Sequence, residues 1–394
     1  MDIKWNKHVV ILYDKDRDDK VAEALRFYIE HEFDPCDVIL VDDSAYTNKL
    51  VNVTTNVVQR FAVKHARGML KAASERTDKR NLQRIMDQNK DRNAQQAEEG
   101  KHNPEVNRIV NILKRHDPVV MICTTPYALR LSLIAKRIVG KPVHIIGAVT
   151  DFALDPAFVQ FGADGYFVEN PEVKRKLVHY GIEGERVAVI GMPTLMSESE
   201  MSVEDKKRAL GISGEQPVVV VYGGPYGTDT LKEDILLLMH DRKDYNLLII
   251  TPNKITRRYF MEQPDFSAGI SFSEKLDENI LDVADILVTL PNSKAIFGAF
   301  MRGVSVVVAS SVTNLEHEVR RYLVKRALVI PTRTPEETLY AVDELINEPE
   351  REQEFRLRGQ TYATMSLHDI TNINPKIGED GVLKLENKSD NADR

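Results

Sequence analysis

A series of short apolar runs that do not alternate with polar residues sets the architecture of this chain. They are Val9–Tyr13, Val38–Val41, Val119–Cys123, Val143–Val149, Tyr166–Val168 and Val187–Ile190, then Val218–Tyr222, Leu247–Ile250, Ile286–Thr289, Val304–Ala309 and Ala327–Ile330. Stretches of helical period separate them, Val21–Glu32 being the clearest. A strand that is apolar on both faces must be covered on both, which is the condition of a parallel sheet between helix layers. Repeated strand, helix and strand therefore predict an α/β chain of the doubly wound kind.

The pattern breaks once. Gly191-Met192-Pro193 leads into a polar stretch, and a new series starts at Val218. This divides the chain into a first domain, residues 1–193, a connection, 194–216, and a second domain, 217–369. Residues 370–394 are polar and read as a disordered tail. Within the first domain, 60–103 stands apart as a basic segment and a polar loop.

Composition removes several functional classes. The 394 residues carry a formal charge of -7, which argues against general nucleic-acid binding. Two cysteines, Cys36 and Cys123, allow neither a disulfide framework nor a cysteine-rich zinc site. The amino terminus passes from a few charged residues straight into a strand-like run, unlike a secretory leader. No apolar run approaches the roughly 18–20 residues that span a bilayer. The expected location is the cytoplasm, with any membrane contact peripheral.

Four local patterns carry chemistry. Tyr222-Gly223-Gly224-Pro225-Tyr226-Gly227-Thr228 lies between a strand and a helix, where glycines admit a ligand to the backbone and the helix start favours an anion. It has neither the P-loop Gly-Lys-Ser/Thr nor the dinucleotide glycine spacing, and an ordinary tight turn is the competing reading. Asp151 and Asp155 follow the strand ending at Val149, where a carboxylate can serve as general base or hold a hydroxyl. Equally, Asp155-Pro156 has the form of a helix cap. Asp14, Asp16, Asp18 and Asp19 follow the first strand but lack the glycine and distal Glu of a calcium loop, so they read as a solvated turn. Arg60–Arg84 holds eight basic residues, among them Arg60, Lys64, Arg67 and Lys71, against Glu75 and Asp78. That is either a solvated helix face or a patch for anionic lipid heads. The histidines form no metal pattern, and His317 reads as a surface helix residue.

Read together, these pieces resemble the monogalactosyldiacylglycerol synthases and processive diacylglycerol glucosyltransferases, relatives of the lipid-intermediate N-acetylglucosaminyl transferases of peptidoglycan synthesis. The stretch from Ile146 to Thr194 carries most of the likeness, with its Thr150-Asp151-Phe152, Asp164-Gly165-Tyr166-Phe167-Val168 and Gly191-Met192-Pro193. His116-Asp117-Pro118-Val119 and Leu210-Gly211-Ile212 through Gly227 extend it. The resemblance implies a GT-B glycosyltransferase, two Rossmann-like doubly wound domains facing a cleft. A UDP-sugar would bind the second domain as co-substrate and a lipid acceptor the first. No metal and no cofactor would be needed, since helix dipoles and loop amides can hold the leaving diphosphate. The basic segment 60–84 falls where family members meet the anionic inner face of the membrane.

The chain departs from the family at chemically important places. Counting back from Ala24-Leu25 puts Asp18 where the family has the histidine of its glycine-rich first loop. Asp155 replaces a second histidine. Asn292 and Ser293 stand for a glycine pair at the donor helix, and Gly298 stands where a Glu would grip the ribose. Glu316 matches a family Glu near the donor sugar. The resemblance thus implies Asp18 or Asp155 as base, Asp151 as acceptor-positioning group, and Gly223, Gly224, Gly227, Asn292, Ser293 and Glu316 around the donor. The same departures allow an alternative: a catalytically impaired GT-B relative that senses a nucleotide-sugar or docks a partner.

Overall fold

The computed structural model describes residues 8–32, 36–43, 76, 80, 100–195, 201–224, 227–241, 245–369, 373–377 and 383–387. Arg60, Lys64, Arg67 and Lys71, with nearly all of the segment 60–103, lie outside them. The chain divides into two compact units.

The first unit is built on six strands: β1 His8–Tyr13, β2 Asp37–Asp42, β3 Val120–Cys123, β4 His144–Val149, β5 Gly165–Val168 and β6 Val187–Val189. All neighbours pair in parallel in the order β2-β1-β3-β4-β5-β6. The order reverses between β1 and β3, which makes that junction the switch point. Helices α1 Lys15–Glu32, α2 Pro104–His116, α3 Pro126–Val139 and α4 Pro171–His179 cover the sheet. The apolar runs do not alternate because both faces are buried. Val9 and Ile11 pack with Val21 and Leu25 of α1, while Val10 and Leu12 pack with Val106 and Leu113 of α2. Each such side chain removed from water contributes about 1.5–3 kcal/mol.

Three of these helices begin the same way, with a polar cap followed by proline. Asn103, Thr125 and Asn170 each accept from the first-turn amides of α2, α3 and α4, and Pro104, Pro126 and Pro171 follow. The cap satisfies an amide that would otherwise have no partner, and proline has none to lose.

The second unit has β7 Val218–Tyr222, β8 Asn246–Ile250, β9 Ile270–Ser273, β10 Ile286–Thr289, β11 Ser305–Val308 and β12 Ile330–Pro331. Their order is β12-β11-β10-β7-β8-β9, again wholly parallel. Strand β9 has no counterpart among the sequence-predicted runs. It sits at the sheet edge, and only Ile270 of its four residues is buried.

Helix α5 Val203–Ala209 falls inside the expected connection 194–216 yet belongs to this unit. Its Lys206 is buried and pairs with Asp282 at 2.7 Å, in helix α6 Glu278–Val283. Asp282 also holds Arg302 at 2.7 Å. A carboxylate shared by two cations fastens the polar stretch to the domain, and charge counting alone does not reveal it.

Within 370–394, expected as a disordered tail, the described residues 373–377 and 383–387 are ordered strands. Strands β13 Ile373–Ile377 and β14 Leu383–Asn387 form an antiparallel hairpin, and Leu383 and Leu385 are 1% exposed in the first unit's core. A Cβ on Gly165 would stand 2.7 Å from Leu385 Cδ1, so the absence of a side chain in β5 makes the leucine's seat. Just before the hairpin, Ser366 Oγ accepts from the Met192 amide at 2.9 Å. Gly191, at φ +70°, would bring a Cβ within 1.8 Å of the Ser366 carbonyl. The Gly-Met-Pro turn is shaped by the segment that packs on it.

Candidate functional site

In doubly wound sheets ligands bind beyond the carboxyl ends of the strands, at the switch point. In the first unit that place lies between β1 and β3, and a group of acids and hydroxyls occupies it. Asp18, near the start of α1, is 3% exposed and accepts from Thr124 Oγ1, just past β3, at 2.8 Å. Thr125, the cap of α3, donates its hydroxyl to Asp43 Oδ2, just past β2, at 3.0 Å. Asp14 and Asp42 close the group, Asp42 accepting from the Lys15 amide at 3.2 Å.

Asp43 is the residue that sequence reading missed. Burial pushes its carboxyl up to about 6; the Thr125 hydroxyl opposes this, and the charges of Asp14, Asp18 and Asp42 add to it. Asp14 is likewise raised by burial, against the pull of Arg17. A carboxylate titrating near neutrality can take a proton from a hydroxyl and release it again. The only hint in sequence is an Asp one residue past a strand end.

Asp151 follows β4, the strand next to β3, and is half-buried between Thr150 and Phe152. Asp155 serves as the cap. Its Oδ1 accepts from the Ala157 amide at 2.8 Å and starts the short helical turn Pro156–Phe158.

The second unit's switch point lies between β7 and β10. Here the chain presents backbone rather than acids. A Cβ on Gly223 would lie 2.2 Å from the Gly227 carbonyl oxygen, so the loop after β7 closes only over a bare Cα. Gly224 and Gly227 sit at φ +62° and +87°, conformations that L side chains rarely adopt. The Gly227 amide donates to the Gly224 carbonyl at 3.1 Å.

Asn292 and Ser293 arrive from β10. Asn292 caps helix α7 Ser293–Met301 through the Ala295 amide at 2.9 Å, and Ser293 is buried. The position a Cβ would take on Gly224 is 3.8 Å from Asn292 Nδ2. The glycine loop and the start of α7 are therefore neighbours.

Two other positions differ in setting. Glu316 lies in helix α8 Asn314–Lys325, and its Oε2 accepts from the amides of Val312 at 2.6 Å and Thr313 at 3.1 Å. With Thr313 it completes a capping box. Gly298 looks toward the apolar side of α7, where a Cβ would be 3.1 Å from Leu281 Cδ1.

Two doubly wound units in succession give the chain the architecture of the GT-B fold. Residues 18–194 match the family model of monogalactosyldiacylglycerol (MGDG) synthase. A processive diacylglycerol beta-glucosyltransferase of Bacillus pumilus is 25% identical over 290 residues, 72% of this chain and 74% of its own length. The Bacillus licheniformis enzyme of that name is 23% identical over 255 residues, 63% of this chain and 66% of its length, so about a third of that relative lies outside the match. Among solved structures, Staphylococcus aureus MnaA in complex with UDP aligns at TM-score 0.61 and 16% identity, over 93% of this chain and 95% of its own. Acinetobacter baumannii MurG aligns at 0.56 and 10% identity, over 92% and 99%. Over residues 18–194, less than half of its length, the chain is thus similar to the monogalactosyldiacylglycerol synthases, and over a longer stretch to the processive diacylglycerol glucosyltransferases.

Proposed function

We propose that this protein is a glycosyltransferase that moves a hexose from a UDP-sugar to a lipid or lipid-linked acceptor. The observation that carries the reading is the meeting of the Gly223–Gly227 loop with the Asn292-capped start of α7 at the second unit's switch point. In this reading loop amides and the helix dipole take up the charge that develops on the departing diphosphate, without calling on a metal. The acceptor hydroxyl attacks the sugar's anomeric carbon, the bond to UDP breaks, and a carboxylate of the first unit takes the hydroxyl proton. Asp43 suits that role by its poise near neutrality, with Asp18 behind it and Asp151 positioning the acceptor. The acceptor class follows from what the Bacillus relatives are named for. Work at the inner membrane face, through the basic segment 60–84, is part of the proposal.

A second reading keeps the fold without turnover. It is favoured by Asp155 and Glu316, two inferred site carboxylates whose oxygens accept from helix-start amides. Titration calorimetry with UDP, GDP and ADP, followed by UDP-glucose turnover on diacylglycerol vesicles, separates the two. Selective UDP binding with transfer is the expected result. Selective binding without transfer to any lipid acceptor would leave the sensor reading. No nucleotide binding at millimolar concentration would remove the UDP-sugar proposal.

A further inference from the structure

At the far edge of the second sheet, beyond the carboxyl ends of β11 and β12, lies a cavity of about 190 Å³ lined by Ser310, Ser311, Thr313, His317, Arg320 and Arg333. Thr313 borders Glu316 through their capping box, and the other five residues lie outside the positions described above. Thr313 is the cap of α8, a 12-residue helix, so the positive end of its dipole borders the cavity.

The cavity holds two cations, Arg320 and Arg333. Arg320 gives one hydrogen bond, from Nη2 to the Thr332 carbonyl at 3.2 Å, and neither Arg320 nor Arg333 makes an ion pair among the described residues. Burial and the neighbouring Arg333 both act against the charge on Arg320, and Glu337 only partly offsets them. The carboxylates nearby are already engaged: Glu337 accepts from the Arg333 amide at 2.7 Å and Glu316 from Val312 and Thr313. Two buried polar atoms of the wall, Ser311 Oγ and Arg320 Nε, have no hydrogen-bond partner among the described residues. A buried donor without a partner is unfavourable, and so are two guanidiniums placed near each other. A tetrahedral oxyanion can accept from a guanidinium fork and a hydroxyl together, which gives Arg320 Nε and Ser311 Oγ partners at once.

We propose that this cavity is a second anion site, which binds the phosphoryl group of a phosphate monoester separately from the diphosphate of a UDP-sugar. The proposal does not rest on the transferase reading. Its ligand is a soluble phosphate ester or the headgroup of an anionic phospholipid, which share the phosphoryl chemistry.

Calorimetry on the full chain tests it, with inorganic phosphate, glucose 6-phosphate and UDP as titrants. Flotation with phosphatidylcholine vesicles, with and without phosphatidic acid, covers the lipid source. Binding of a phosphate ester or of phosphatidic acid vesicles is expected, weakened at least about tenfold by Arg320→Met and by Arg333→Gln, as loss of a charge-assisted hydrogen bond implies. UDP affinity is expected to stay as in the parent. Arg333 is exposed, so Arg333→Gln keeps the test open if Arg320→Met fails to fold. Absence of binding by every phosphate probe, or binding that neither substitution weakens, would overturn the site. A parallel fall in UDP affinity would overturn its separateness, because the arginines would then serve the donor.

Discussion

At the carboxyl edge of the first sheet the chain gathers side chains: Asp14, Asp18, Asp42 and Asp43, tied by the hydroxyls of Thr124 and Thr125. At the same edge of the second it removes them, leaving Gly223, Gly224 and Gly227 against the start of a helix. In the proposed reading one edge supplies a group that exchanges a proton and the other supplies amides for an anion. The same fold thus yields two chemistries, and which one a switch point carries depends on whether its loop keeps or loses its Cβ atoms.

The difference can be attacked from the second edge first. Gly223→Ala drives a methyl into the Gly227 carbonyl, and we expect a loss of about 3 kcal/mol in urea unfolding together with loss of UDP binding. Gly224→Ala is its control, with a positive φ but nothing nearer than 3.8 Å, and should cost only about 1 kcal/mol. Equal effects would mean that backbone strain, and not the closed loop, sets the site.

At the first edge, Asp18→Ala strands the buried Thr124 hydroxyl and should cost about 2 kcal/mol, with Asp18→Asn recovering most of it. Denaturation midpoints of the two variants check this.

Asp43→Asn should act through pH. The folded chain holds the Asp43 proton up to about 6, whereas the unfolded chain releases it near 3.8, so wild-type stability falls as pH rises between those values. The variant should lack that slope, matching wild type at pH 4 and exceeding it at pH 7 by about 1–2 kcal/mol. A slope that survives the substitution would place the titration elsewhere. Smallest of all, Asp155→Ala removes a cap worth about 1 kcal/mol and should leave any transferase activity intact. Abolished activity at unchanged stability would restore Asp155 as the base.

Most of the fold was legible because parallel strands buried on both faces leave unbroken apolar runs, as in Val9–Tyr13 and Val218–Tyr222. Strand β9 escaped because an edge strand needs only one buried residue in four. The hairpin escaped because Leu383-Lys384-Leu385 is too short an alternation to stand out from a polar tail. At the site, Gly223 and Asn292 could be aligned because each follows a strand end within a recognisable piece. Asp43 could not. Its character comes from Asp14, Asp18, Thr125 and burial, which only the sheet brings together.

Because Leu383 and Leu385 complete the first unit, that unit is closed by residues made long after its strands. A ribosome that has finished β6 has synthesised every strand of the six-stranded sheet, but the seat over Gly165 stays open until the whole second unit has been synthesised. We therefore expect that a fragment ending at Leu195 behaves as an unfinished domain with an exposed apolar face, not as a separable one. Fusing Ile373–Asn387 back onto that fragment should restore its solubility.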